Sequence, residues 1–183
     1  MKNKSNVYWL VSALFLGIAA LWGAAEKLSG FMDLGTICGI SLIVFGVISL
    51  VAAFNYGIRS TSGGWILTEG LLSFLIGLSY IFTSVDYSLF TLDLVYIMGL
   101  WLMFLGISQL IRTNKKSMTF GRVLALITSV MAIVGGLSLY VKPLAELFRF
   151  SRGGVLQVYS ITFQFLIAAL LVLSRLANKD SKR

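Results

Sequence analysis

The chain has no histidine, a single cysteine (Cys38), a single proline (Pro143), and charge on only 12% of its 183 residues. Each shortage excludes something. Without histidine there is no Ser-His-Asp or Cys-His nucleophile system. One cysteine and no histidine cannot supply the ligand set of a structural zinc site, and one cysteine cannot close an intramolecular disulfide. No metal and no cofactor are therefore expected, and the chain reads as non-enzymatic. Cys38 lies in an apolar run, where a free thiol behaves as a small packing residue. The lone proline falls in a connection, so the proline-broken helices of many transporters are not visible. A soluble domain carries about 25% charged residues, and this deficit places the chain in the membrane class.

What is abundant is apolar. Hydrophobic residues make up 58% of the sequence, with eighteen glycines and thirteen phenylalanines. A helix that crosses the hydrocarbon needs about 20 mostly apolar residues. Six runs qualify: 7–25, 34–54, 64–83, 94–111, 123–141 and 155–174. Only the third contains a charge, Glu69. A β-barrel would show runs of about 10 residues in strict alternation, and these runs are longer and do not alternate. The connections are short, so residues 1–183 form one transmembrane domain. The expected fold is an all-α integral membrane protein of six transmembrane helices.

Basic residues set the orientation. The side of the N-terminus holds Lys2, Lys4, Arg59, Arg112, Lys115, Lys116, Arg122, Arg175, Lys179, Lys182 and Arg183. The other holds Lys27, Lys142, Arg149 and Arg152. The positive-inside rule puts the richer side, with both termini, in the cytoplasm. This interleaving with apolar runs accounts for the net charge of +8 as topology, and nucleic acid is not an expected partner. The first run, preceded by Lys2 and Lys4 and followed by Gly23-Ala24-Ala25, also fits a cleavable signal peptide. Its length and its place in a repeat favour a retained span.

Shifting the sequence by 60 residues superposes Gly17 on Gly77, Asp33 on Asp93, Ile37 on Ile97, Gly39 on Gly99 and Gly46 on Gly106 without a gap. Glycines and an aspartate in register are much harder to match by chance than leucines. A third unit is more worn: Gly121-Arg122 opens it, and Ser160 and Ala168 stand near the places of the glycines. The units, about 5–59, 65–119 and 121–178, read as three parallel helical hairpins, each with two helices and so inserted in one orientation. Gly39 and Gly46, like Gly99 and Gly106, are two turns apart on one face. Small-residue stripes also run through Ala13, Gly17, Ala20 and Ala24, and through Ala125, Ser129, Ala132 and Gly136. Such stripes let backbones approach in lipid. Helix packing is the expected role of Gly17, Gly39, Gly46, Gly77, Gly99 and Gly106, and a glycine-lined conduit is the alternative.

With Trp65, Glu69-Gly70 and Gly77, then Gly99 and Gly106, the second unit resembles the hairpin repeat of the HdeD-like membrane proteins, named for an acid-resistance protein of enteric bacteria. The first unit keeps Trp9, Gly17, Gly39 and Gly46, and the third keeps Gly136 and Pro143. The family usually has arginine where Glu69 stands and a proline after each odd helix. Here the prolines after helices one and three are missing. The resemblance implies a bacterial cytoplasmic-membrane protein with a role in acid or envelope stress. It carries no catalytic residues.

Glu69 has two readings. It lies five residues past Gly64, roughly 7.5 Å deep at about 1.5 Å per residue, where it could snorkel near Arg122 or Arg59. Alternatively, Ser73, Tyr80 and Ser84 continue from it on one face and form a polar path. Burial of a lone carboxyl favours its neutral form, so a small channel or a proton-sensitive transporter is the second functional reading. Gln157, Ser160 and Gln164 share a face of the sixth run, for interhelical hydrogen bonds or the same path. Gln109 is expected at the interface, Asp33 and Asp93 as helix caps, and Trp9, Trp22, Trp65, Tyr56 and Tyr140 as interfacial anchors. Arg149 and Arg152 fit lipid headgroups or a pair with Glu146. The lipid bilayer is the expected partner, with a second copy or another membrane protein beyond it.

Overall fold

The computed structural model describes residues 2–25, 34–83, 91–113, 120–138, 140 and 155–180, with side chains described at 7–22, 36–82, 96–113, 120–138, 140 and 162–176. Among the described residues there are six helices and no strand. They are α1 (Lys2–Ala25), α2 (Leu34–Tyr56), α3 (Thr61–Thr83), α4 (Thr91–Thr113), α5 (Phe120–Leu137) and α6 (Val155–Asp180). Backbone polar groups cannot be left unpaired in hydrocarbon, and helices satisfy them within each segment. Four described spans are long and apolar enough to cross a membrane: Thr36–Tyr56, Thr61–Phe82, Tyr96–Thr113 and Phe120–Leu137. In α1 and α6 the described apolar stretches are shorter, Val7–Trp22 and Thr162–Leu176.

The surface is apolar and much of the polarity is inside. Leu21, Phe54, Phe82 and Phe120 are each more than three-fifths exposed, while Ser12, Ser49, Glu69, Ser108, Gln109, Gln164 and Ser174 are buried. A soluble monomer rarely exposes apolar patches of more than a few hundred Å². With the long apolar helices, this marks a multi-pass membrane protein.

Most helices extend past the apolar runs, because the runs mark lipid contact and the helix continues into its polar flanks. α5 is the exception. Its apolar run reaches residue 141, but the helix stops at Leu137. Gly135 and Gly136 are weak helix formers, Ser138 turns its hydroxyl back onto the Gly135 carbonyl at 2.7 Å, and Tyr140 N bonds Leu137 O at 2.9 Å in a tight turn. Between α2 and α3 only residues 57–60 intervene. Gly57 takes φ +82°, a conformation that costs a residue with a Cβ about 1–2 kcal/mol. Ser60 then caps α3 by accepting from Gly63 N at 3.0 Å.

Consecutive helices neighbour one another around the bundle, and α6 closes onto α1. The closest neighbours are α2 with α3, α1 with α6, and α4 with α5. Two of these contacts share one construction. In the antiparallel α2–α3 pair, a Cβ on Gly39 would stand 2.9 Å from the Gly77 carbonyl, and one on Gly46 2.9 Å from the Gly70 carbonyl. In α4–α5, Gly136 backs onto the Gly99 carbonyl, and a Cβ on Gly106 would stand 2.7 Å from the Ser129 carbonyl. Gly46 and Gly106, which superpose in the 60-residue shift, thus do the same job in two places. Gly17 does not: a Cβ there would meet nothing within 4 Å. The close approach expected at Gly17 is thus not seen among the described residues. At Gly39, Gly46, Gly77 and Gly106 the neighbouring helix fills the Cβ position, and the Gly99 carbonyl faces Gly136.

Candidate functional site

The polar residues converge near the lysine- and arginine-rich end. Glu69 stands in the third turn of α3, wholly buried. Its Oε1 accepts from Arg112 Nη2 at 2.6 Å, from Arg175 Nη2 at 3.1 Å and from the Ser108 hydroxyl. Its Oε2 lies 3.0 Å from Arg175 Nη1. One carboxylate thus joins α3, α4 and α6. The arginine side chains are only 15% and 8% exposed.

A second layer holds these groups in place. Arg175 Nε donates to Gln109 Oε1 at 2.8 Å, and Gln109 Nε2 donates to Ser174 Oγ at 2.6 Å. Thr128 of α5 brings its hydroxyl within 3.1 Å of Ser174 Oγ. The Arg175 guanidinium lies over the Trp9 ring of α1, 5.0 Å from its centroid. A charge at the bilayer centre costs about 2.5–3.5 kcal/mol on insertion scales. Here that cost is offset by opposite charge, directed hydrogen bonds and an aromatic face.

Above this cluster a layer of large aromatic side chains fills the bundle. Ser73 donates to the Glu69 carbonyl at 2.6 Å and accepts from Trp101 Nε1 at 2.7 Å. Trp101 packs edge-on against Phe45, centroids 6.1 Å apart, and against Phe165 at 6.3 Å. All three aromatics are fully buried, and Leu16, Leu42 and Met98 belong to the same core.

The expected partners of Glu69 need correction. It is wholly buried rather than snorkelling, and the guanidiniums bonded to it are those of Arg112 and Arg175. In the sequence each stands near the end of an apolar run and carries only a topology signal. Gln109 is 3% exposed rather than interfacial, and Trp9 is buried beneath Arg175 rather than an anchor. Tyr56 and Tyr140 are exposed, and Trp65 lies tilted against Phe104, centroids 5.6 Å apart.

Of the expected polar path, the described residues bring only Ser73 to Glu69. Ser73 belongs to the cluster, but Tyr80 is buried beside α2, its Cβ 3.2 Å from where a Cβ on Gly39 would stand. Gln164 is buried about 16 Å along α6 from Arg175 at about 1.5 Å per residue. The side chains of Gln157, Ser160 and Asp93 lie outside the described residues, as do Asp33, Ser84, Glu146, Arg149 and Arg152. Ser108, Ser174, Thr128 and Trp101 were missed. Their signal was faint, because a serine or threonine in a membrane helix commonly bonds its own backbone. No group of three or more acidic or cysteine residues able to hold a metal gathers among the described residues.

No curated protein and no solved structure matches the chain. Residues 85–141, which hold α4, α5 and with them Ser108, Gln109, Arg112, Gly99, Gly106 and Gly136, match the family model of a short repeat of unknown function, DUF308.

Proposed function

We propose that this chain is a non-enzymatic, HdeD-like protein of the bacterial cytoplasmic membrane that serves acid or envelope stress resistance. In this reading six helices span the membrane as three parallel hairpin repeats, with both termini cytoplasmic. The repeat match over residues 85–141 supports it, as does the likeness of the α2–α3 and α4–α5 crossings. The observation that carries the non-enzymatic, non-transporting part is the buried cluster. Glu69, Ser108, Gln109, Arg175 and Ser174 bond one another, and a layer of Phe45, Trp101 and Phe165 fills the core beyond them. Such polar groups lock helices together.

The test has two arms. Removing the protein from its host should lower survival at acid pH, and wild-type protein should restore it. Purified protein in proteoliposomes should pass no ions or protons across a pH series. Unchanged survival removes the stress role. A flux abolished by Glu69→Gln would overturn the sealed-bundle reading in favour of a small channel or proton-sensitive transporter.

A further inference from the structure

The charges in the buried cluster do not balance. Glu69 supplies one carboxylate against two guanidiniums, those of Arg112 and Arg175. The 60-residue shift that aligns the glycines puts Ala52 where α4 has Arg112 and Trp9 where α3 has Glu69. The excess cation is therefore built in by the sequence. Among the described side chains no second carboxylate offsets it. At that end the sequence places Arg59, Lys115, Lys116 and Arg122 as well, and of the seven acids only Glu69 and Asp180 belong there. A net positive charge, largely desolvated, calls for a counter-anion.

The donors point to which arginine would take it. Arg175 is enclosed: Nε bonds Gln109, Nη2 bonds Glu69 Oε1, Nη1 is buried 3.0 Å from Oε2 without a hydrogen-bond acceptor, and the ring of Trp9 lies beneath. Arg112 is not. It spends Nε on the Ser108 carbonyl at 3.2 Å and Nη2 on Glu69, out of the five N–H donors a guanidinium carries. It is also the more exposed of the two, one residue before the end of α4. At that depth, with Ile107 and Ile111 exposed on the same helix, the neighbouring anion in a bilayer is a phosphate headgroup with its acyl chains along α4.

We propose that Arg112 binds the phosphate of an anionic phospholipid in the leaflet at this end, with Glu69 and Arg175 as positioning residues. The site is the partly exposed Arg112 guanidinium at the end of α4, and the ligand is a lipid headgroup. It rests on the membrane reading and is independent of the stress role, so loss of acid survival does not bear on it.

The test uses full-length protein in mild detergent, with thermal unfolding and native mass spectrometry as readouts. Titration with phosphatidylglycerol should raise the unfolding temperature by several degrees and retain bound lipid, and phosphatidylcholine should do neither. Arg112→Gln should weaken phosphatidylglycerol binding at least tenfold, while Arg59→Gln in the α2–α3 turn leaves it within twofold. Should Arg112→Gln fail to fold, Arg112→Lys is read instead, with a three- to tenfold weakening expected from losing the planar fork. Equal binding by wild type and the Arg112 variant overturns the site. An unfolding shift reproduced by inorganic phosphate at equal concentration overturns the lipid as its ligand.

Discussion

Replacing Glu69 with glutamine tests the central geometry. The volume is unchanged, and an amide oxygen can still accept from Ser108 and Arg112. The negative charge goes, and an NH2 now faces Arg175 Nη1, which stood 3.0 Å from Oε2. Both guanidiniums bond the same oxygen, so the variant leaves two cations side by side. At roughly 6 Å and an effective dielectric constant of about 20, they repel by about 3 kcal/mol. Breaking a buried ion pair by removing one partner typically costs about 3–5 kcal/mol. Arg112, 15% exposed, can swing toward the interface, which places the expected loss near about 3 kcal/mol. Interhelical hydrogen bonds in lipid average only ~0.6 kcal/mol, too little to produce it. Reversible unfolding in mixed micelles measures the effect. The sharper readout is a second variant, Glu69→Gln with Arg112→Gln. Removing one of the two stranded cations should recover about 1–2 kcal/mol of the loss by lifting that repulsion. A single variant within about 0.5 kcal/mol of wild type, or a double variant less stable than the single, would refute the reasoning, because surface-like substitutions stay in that range.

Two further substitutions separate the glycines. Gly17→Ala should be neutral or stabilising by up to about 1 kcal/mol, the helix propensity difference, since nothing lies within 4 Å of the added methyl. Gly46→Ala should lower stability by about 1–3 kcal/mol, as overpacking does, because its Cβ would meet the Phe74 backbone nitrogen at 2.8 Å; equal unfolding temperatures for the two variants would contradict the α2–α3 crossing. Trp101→Phe keeps the ring contacts with Phe45 and Phe165 but loses the bond to Ser73, for an expected loss of about 0.5–1.5 kcal/mol. Trp101→Ala should cost about 3–5 kcal/mol in the same unfolding assay.

The number of helices, their rough bounds and their apolar outer faces could be read from the chain directly. Each is a property of a local window: hydropathy over some twenty residues sets a span, and a glycine pair seven apart sets a face. The 60-residue repeat was equally legible, because Gly39, Gly46, Gly99 and Gly106 recur in register. Glu69 stood out as the one charge inside a run. Its partners did not. Arg112 and Arg175 are 43 and 106 residues away, and near the ends of apolar runs they look like any positive-inside residue. The turn that ends α5 at Leu137 was hidden because the apolar run continues past it. Gly17 and Gly46 likewise look alike in sequence, and only the distance between two helix axes distinguishes an open position from a closed one. Hydropathy and spacing along one helix are encoded locally. Which faces meet, and so which charges neutralise one another and which cation is left over, depends on how six helices pack, and only the tertiary structure decided that.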